Sequence, residues 1–355
     1  MSVQFGLFEH MTLPPGASVR ELFERRIRMV QAAEEAGVSH YFVAEHHGHR
    51  LTMAPSQMPW LAAVARETER IRIGTMVSCL PLHEPIRLVE EVVMLDHLSG
   101  GRLDFGVGKG ISPFEHEAIG HPYDESGARY RELLPVVLRG IRTGVVANPD
   151  AHFYPFHELH IEMTALQDPL PIWSPGNPRS AGEQGFGFIA PVPLSEQLRA
   201  AYDESWQAGL ADPQRLGDPR QPPVAGSSQW LVIAPTDEEA TEIALRGIGA
   251  LNRLMRVSSG PVFPHEAGTP AEPEGREAEM WDPARALASQ GAVAGSPETV
   301  ARYFADLVAQ GRTDLLVVNP AFGDLGFAEI ERTTSLFFEE VLPAVRASES
   351  AAAVA

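Results

Sequence analysis

Four ionisable side chains stand together in "VSHYFVAEHHGHR" (38–50): Glu45, His46, His47 and His49 follow directly on the apolar run Tyr41 to Ala44. Imidazoles beside a carboxylate can hold a metal ion, serve as acid or base beside a cofactor, or belong to a solvated turn. His47-Gly48-His49 has a metal-ligand spacing, but a metal would need more ligands after later apolar runs. Those runs end in "WSPGN", "IAPVP", "VIAPT" and "VVNPA", which offer no His and no Asp directly at the end. No metal is therefore expected.

Two other stretches suit an anion. "FGVGKGISPFEHEAIG" (105–120) alternates Gly106, Gly108 and Gly110 around Lys109. Backbone N–H groups there can form a nest with Lys109 as the countercharge; a plain turn of small residues with an exposed Lys is the alternative. "WSPGNPRSAGEQG" (173–185) carries Gly176, Asn177 and Ser180 around a Pro. Asn before Pro makes a good helix cap, and free N–H groups at a helix start favour phosphate; an ordinary capped helix fits as well. Two such stretches on one face would suit a phosphorylated cofactor. His83 either lines that face or holds its loop by a hydrogen bond, and Asp96 and Arg102 are suited to pairing across a helix-to-strand turn.

Groups this far apart in sequence need a scaffold that gathers them. Apolar runs at 3–8, 40–44, 71–80, 102–108, 171–175, 187–192, 229–235 and 314–320 read as strands. Amphipathic stretches at 19–37, 60–68, 85–101, 128–142, 237–255, 296–311 and 327–346 read as helices, the first closed by Gly37 and the sixth opened by a Ser cap. About eight β-then-α units predict parallel strands in a closed (β/α)₈ barrel of the α/β class; an open doubly wound sheet is the alternative. "FGLFEHMTLPPG" after the first strand is no dinucleotide fingerprint, which favours the barrel. Loops after the strands then form the active face, with Glu45, His46, Cys79, Lys109 and Asn319 at strand ends, and Met53, Met58, Trp60 and Phe114 either flanking it or equally part of the core. One domain is expected over 1–346, with a frayed tail at 347–355 and a functional or disordered loop at 257–283.

Bulk properties narrow the partners. The 355 residues carry 28 basic and 47 acidic side chains, a net charge of -19, which repels nucleic acid and anionic membrane. The one cysteine, Cys79, allows no intrachain disulfide, and the start shows no signal peptide, so a cytoplasmic location is expected. No apolar run is long enough to span a bilayer.

The motifs in their order, "FVAEHH", "IRIGTMVSCLPLHEPIRLVEEVVMLDHLSGGRLDFGVGKGISPFE", "PIWSPGNPRSA" and "GSPETVARYFADLVAQGRTDLLVVNPAFGDLG", resemble the bacterial-luciferase-like family of flavin-dependent monooxygenases over roughly 3 to 346. The resemblance implies a luciferase-like TIM barrel with insertion loops. It implies FMN, bound as FMNH₂ from a separate flavin reductase, which reacts with O₂ to a C4a-hydroperoxide that oxygenates a small organic substrate. It places His46 at the chemistry, Lys109, Gly110 and the Ile111 N–H on the flavin phosphate, Gly176, Asn177 and Ser180 at a second phosphate turn, and a cis peptide at Met76-Val77 under the flavin ring. A homodimer is also implied. Three departures stand out. Gly108 replaces a reactive Cys, Lys109 replaces an Arg and loses its bidentate fork, and the segment 180–187 is about one helical turn short. The short segment raises the alternative of a non-catalytic flavin-binding homologue; a deazaflavin (F420)-dependent oxidoreductase on the same fold is a further alternative, against which the "AEHH" strand end favours FMN.

Overall fold

The computed structural model describes residues 2–259 and 282–354; the expected loop at 257–283 lies largely outside the described residues. Eight parallel strands form the barrel wall: Gln4–Glu9, His40–Val43, Arg72–Thr75, Leu103–Gly108, Ile172–Trp173, Phe188–Ala190, Ala225–Ile233 and Leu315–Asn319. They are called the first to eighth strands below. Each pairs with the next, from first to fourth and on to the fifth. A single bridge, Trp173 with Gly187, joins the fifth strand to the sixth. The sixth pairs with the seventh, the seventh with the eighth, and the eighth with the first, which closes the ring. Helices such as Val19–Glu35, Pro85–Leu98, Ser126–Thr143 and Pro297–Ala309 pack outside.

Alternation along each strand decides which side chains enter the barrel. Phe5, Leu7 and Glu9 of the first strand face the helices; Gly6 and Phe8 face inward, and Phe8 sits level with Phe42. Glu9 is fully buried outside the wall, where Arg26 donates at 2.6 Å and the Tyr41 hydroxyl at 2.6 Å. Trp60 in turn donates to Tyr41 at 2.9 Å. A carboxylate pinned so firmly outward sends the next residue, His10, inward. Helix starts follow their caps: Ser18 accepts from Glu21 N–H and Ser296 from Thr299 N–H.

Several expectations need correction. The expected strand 71–80 breaks into Arg72–Thr75 and Ser78–Cys79 around Met76-Val77, whose peptide is cis. Arg102 does not pair with Asp96; it caps carbonyls of Ala65, Thr68 and Ile71, while Asp96 accepts from Gln167. Where a frayed tail was expected, the helix Leu342–Val354 continues. Met58 and Trp60 belong to the packed layer under the helices, Trp60 stacking on Phe23, and not to the active face. Among the described residues no helix is long and apolar enough to cross a membrane.

Candidate active site

The strand ends open into a cavity of about 630 Å³. Inward positions of the upper barrel form its wall, including Phe8, Phe42, Met76, Gly108, Trp230 and Val317. His46, Met76, Val77, Lys109, Gly110, Ile111 and Gly176, all singled out from sequence, line this one cavity. Asn177 and Ser180 do not. Both are exposed on the adjoining turn, where the Asn177 side chain accepts from Arg179 and Ser180 N–H groups at 2.9 and 3.2 Å. The short helix Pro178–Gln184 thus forms in spite of the missing turn, but two of its free donors are taken by its own cap. Asn319 is buried below, and Met53 does not reach the cavity wall.

Gly106 and Gly108 do a different job from the expected anion nest. A Cβ on Gly106 would stand 2.1 Å from the Thr75 carbonyl oxygen, and one on Gly108 would stand 2.4 Å from Val77. These positions let the Met76-Val77 segment approach the fourth strand. Gln57 holds that segment from the other side, donating to Val43 and Val77 carbonyls and accepting from Ser78. Gly110 has φ 78° and is the one residue of the run whose backbone needs the left-handed region. Lys109, the only lysine in the chain, is exposed at the cavity rim with its ammonium 4.9 Å from the Tyr123 ring centre.

Two buried carboxylates organise the histidines. Glu45 accepts from Cys79 N–H at 2.9 Å and meets His47 at 2.9 Å and His83 at 3.0 Å. His83 therefore holds its loop and does not line the cavity. Glu115, on the short helix Pro113–Ala118, receives three donors on a single oxygen: His46 Nδ1 at 3.2 Å, His47 N–H at 3.0 Å and His49 Nε2 at 3.3 Å. Burial opposes both carboxylates. For Glu45 the charges and hydrogen bonds of His83 and His47 win; for Glu115 the hydrogen bonds of His46 and His49 win. Both pKa values are held at about 2. His47 is raised by its hydrogen bond to Glu45, and His83 is raised by the Glu45 charge in spite of burial. Burial pushes the Cys79 thiol well up, so it stays protonated.

His46, His49 and Glu115 bring their ligand atoms within 4.8 Å of one another, close enough for an ion. The hydrogen-bond pattern assigns them otherwise. Leu51 N–H donates to His49 Nδ1 at 3.3 Å, so the His49 proton sits on Nε2 and points at Glu115. An ion at this trio would have to displace that proton. His46 likewise gives Nδ1–H to Glu115, which leaves Nε2 for a ligand.

Sequence reasoning missed two groups. Glu115 sits in a quoted stretch, and its role needed the helix at 113–118, which a Ser before a Pro signals. His10 lines the cavity, and continuing the inward alternation of Gly6 and Phe8 by one step would have found it.

The buried His10, His40 and His116 are all held below the ordinary histidine range, chiefly by burial; His10 falls to about 3. An unfolded chain protonates these rings below about pH 6.5 while the folded chain does not, so stability should fall as pH drops from there. Glu45 and Glu115 add to the loss below about pH 4.3, as pH approaches their folded values. The raised His47 and His83 work the other way, and their contribution fades as pH rises above about 6.5. A melting-temperature scan should therefore peak between about pH 6 and 7. A flat profile from pH 4 to 7 would contradict this assignment of charges.

The sequence family described as luciferase-like monooxygenase matches residues 3–314. The chain belongs to that family. It is 31% identical over 175 residues, 48% of each chain, to the oxygenase component of flavin-dependent trigonelline monooxygenase of Acinetobacter baylyi. It is 28% identical over 330 residues to the F420-dependent glucose-6-phosphate dehydrogenase of Beutenbergia cavernae, covering 89% of this chain and 92% of that protein. In fold it resembles the oxygenating constituent of 3,6-diketocamphane monooxygenase of Pseudomonas putida, solved with FMN: TM-score 0.71, 21% identity, 97% of this chain and 98% of that one.

Proposed function

We propose that this chain is the oxygenase component of a two-component, FMN-dependent monooxygenase that inserts oxygen from O₂ into a small organic substrate. A separate reductase would supply FMNH₂, and the protein would act as a cytoplasmic homodimer. The observation that carries the reading is convergence: His46, Met76, Val77, Lys109, Gly110, Ile111 and Gly176 come from four different strand ends to one cavity. The donor set fits the cofactor. A mostly apolar wall suits a flavin ring, the glycines at 106 and 108 let Met76-Val77 seat against the fourth strand as part of that wall, and a lysine stands at the rim for a phosphate.

When bound, reduced FMN supplies the electrons that activate O₂. The residues do the rest. Lys109 and the N–H groups of Gly110 and Ile111 would hold the phosphate, and only the Asn177 amide NH₂ and the Ser180 hydroxyl, on the neighbouring turn outside the cavity wall, would be left to join them. Met76 and Val77 support the ring. The apolar wall excludes water. His46, fixed as the Nδ1–H tautomer by Glu115, presents Nε2 to the reacting centre and holds or moves a proton there.

Anaerobic titration with FMN and FMNH₂, followed by mixing with O₂, tests this. The protein should bind FMNH₂ and change its rate of reoxidation. Binding of F420 with none of FMN would move the chain to the deazaflavin side of the family, for which the relative matching 89% of the chain speaks. Tight FMN binding with an unaltered reaction with O₂ would mark a homologue that binds without turnover. His46→Ala should leave the FMN dissociation constant within about threefold and slow the oxygen reaction by about a hundredfold. Equal losses in both would remove His46 from the chemistry. Lys109→Ala should weaken FMN binding by about tenfold or more, the scale of a hydrogen bond to a charged group. An unchanged constant would place the phosphate elsewhere.

A further inference from the structure

The cofactor residues proposed above come from the second to fifth strands, which leaves the sixth, seventh, eighth and first without a role. Ile189 and Pro191 follow from the sixth strand, Ser228 and Trp230 from the seventh, Val317 from the eighth and His10 from the first. Among the described residues lining this half of the cavity, none is charged; Glu45, Glu115 and Lys109 all lie in the other half.

His10 is the unusual member. It is only 7% exposed. Its ring stacks between Trp230 and His46, with centres 5.5 Å from each and planes inclined by 20° and 17°. Phe8 meets its edge at 5.0 Å. Its Nδ1 is fully buried and has no hydrogen-bond partner among the described residues. Of its two ring nitrogens only Nε2 is not fully buried, so it is the one a ligand atom in the cavity can reach, at about 0.5–1.5 kcal/mol for a neutral hydrogen bond. The rings on either side fix the imidazole plane, so the direction in which it can offer or accept a hydrogen bond is set before any ligand arrives.

We infer that His10 is a specificity-determining residue and that this half of the cavity takes a neutral, largely apolar molecule whose single hydrogen-bonding oxygen, a carbonyl or hydroxyl, is read by the His10 ring. The inference rests on the flavin reading of the opposite half. Ionic substrates fit poorly. Among the described residues a carboxylate or phosphate here would find no countercharge, and burial keeps the His10 ring uncharged at neutral pH. A cation would find no carboxylate on this side among the described residues.

The test uses the full chain loaded with FMN, with FMN binding measured first and separately. Cyclohexanone serves as the neutral probe and cyclohexanecarboxylate as its ionic counterpart. The loaded protein should bind the ketone at least about tenfold more tightly than the carboxylate. His10→Phe, which keeps the stacking, should weaken the ketone by about fivefold to tenfold, the scale of one neutral hydrogen bond, and leave FMN affinity unchanged. His10→Asn, which keeps a neutral polar group, should recover part of that loss. A ketone affinity that His10→Phe leaves unchanged would overturn the inference, as would carboxylate binding equal to ketone binding, or an FMN-loaded protein that ignores the ketone. A chain that fails to bind FMN at the first step would sink the flavin reading itself.

Discussion

Glu115→Ala is expected to destabilise the protein by about 3–5 kcal/mol and to disable His46 at the same time. The carboxylate is buried, and one of its oxygens takes donors from His46, His47 and His49. Alanine leaves all three donors without a partner in a site that water reaches poorly. His46 also loses the group that fixes its tautomer, so Nε2 is no longer the only nitrogen free to face a ligand. Glu115→Gln separates the two effects. Its amide oxygen can still accept, so most of the stability should return, whereas the negative charge beside His46 is gone. In urea unfolding, the Ala variant should show a clearly lowered midpoint and the Gln variant a nearly native one. In reaction of the FMNH₂-loaded protein with O₂, both should resemble His46→Ala. A Gln variant with native kinetics would mean that the Glu115 charge plays no part in the chemistry.

Gly106→Ala is the second large effect. The fourth strand runs so close to the third that the added Cβ would lie 2.1 Å from the Thr75 carbonyl oxygen, a backbone atom that no side-chain rotation can move away. Thr75 and Gly106 are also clipped in both directions: the Thr75 hydroxyl donates to the Gly106 carbonyl at 2.9 Å and accepts from the Gly106 N–H at 3.0 Å. Relief requires the strands to part, which breaks the clip and shifts Met76. A loss of about 3 kcal/mol or more follows, at the upper end of overpacking effects. A lowered denaturation midpoint together with weakened FMN binding is the expected pair of observations. An Ala variant with native stability would show that the two strands do not meet as described.

Much of the barrel was legible because its strands obey simple periodicity. "VQFGLF", "HYFVA" and "DLLVVNP" are apolar runs bounded by turn residues, and they became strands within a residue or two. The seventh strand was harder. It begins at Ala225, four residues before the expected start at Gln229, because Ala-Gly-Ser-Ser has little strand propensity of its own and is held by its neighbours. The helix Glu196–Gly209 and the hairpin of Val145–Asn148 with Phe156–His160 were not read either; the hairpin strands are largely exposed and lack a clean apolar face.

At the site, the strand-end rule found His46, Lys109 and Gly176, since each directly follows an inward-facing run. It assigned the glycines of "FGVGKG" to the ligand, when two of them serve strand packing. Close approach between distant segments leaves the same glycine signature as a phosphate loop, and only the third dimension separates them. His10 escaped because the strand was ended at Phe8. Glu115 escaped because its partners lie more than sixty residues away in sequence, on the loop after the second strand.

Every other basic side chain outside the histidines is an arginine, so Lys109 offers the chain's sole side-chain primary amine, and it does so at the rim of the cavity. Guanidinium groups stay protonated and unreactive under conditions where an ammonium can be acylated. Among the side chains of these 355 residues an amine-directed reagent will therefore mark Lys109 alone, at the mouth of the proposed active site. A dye or crosslinker attached there would report occupancy directly, and a bound phosphate would shield the residue from modification.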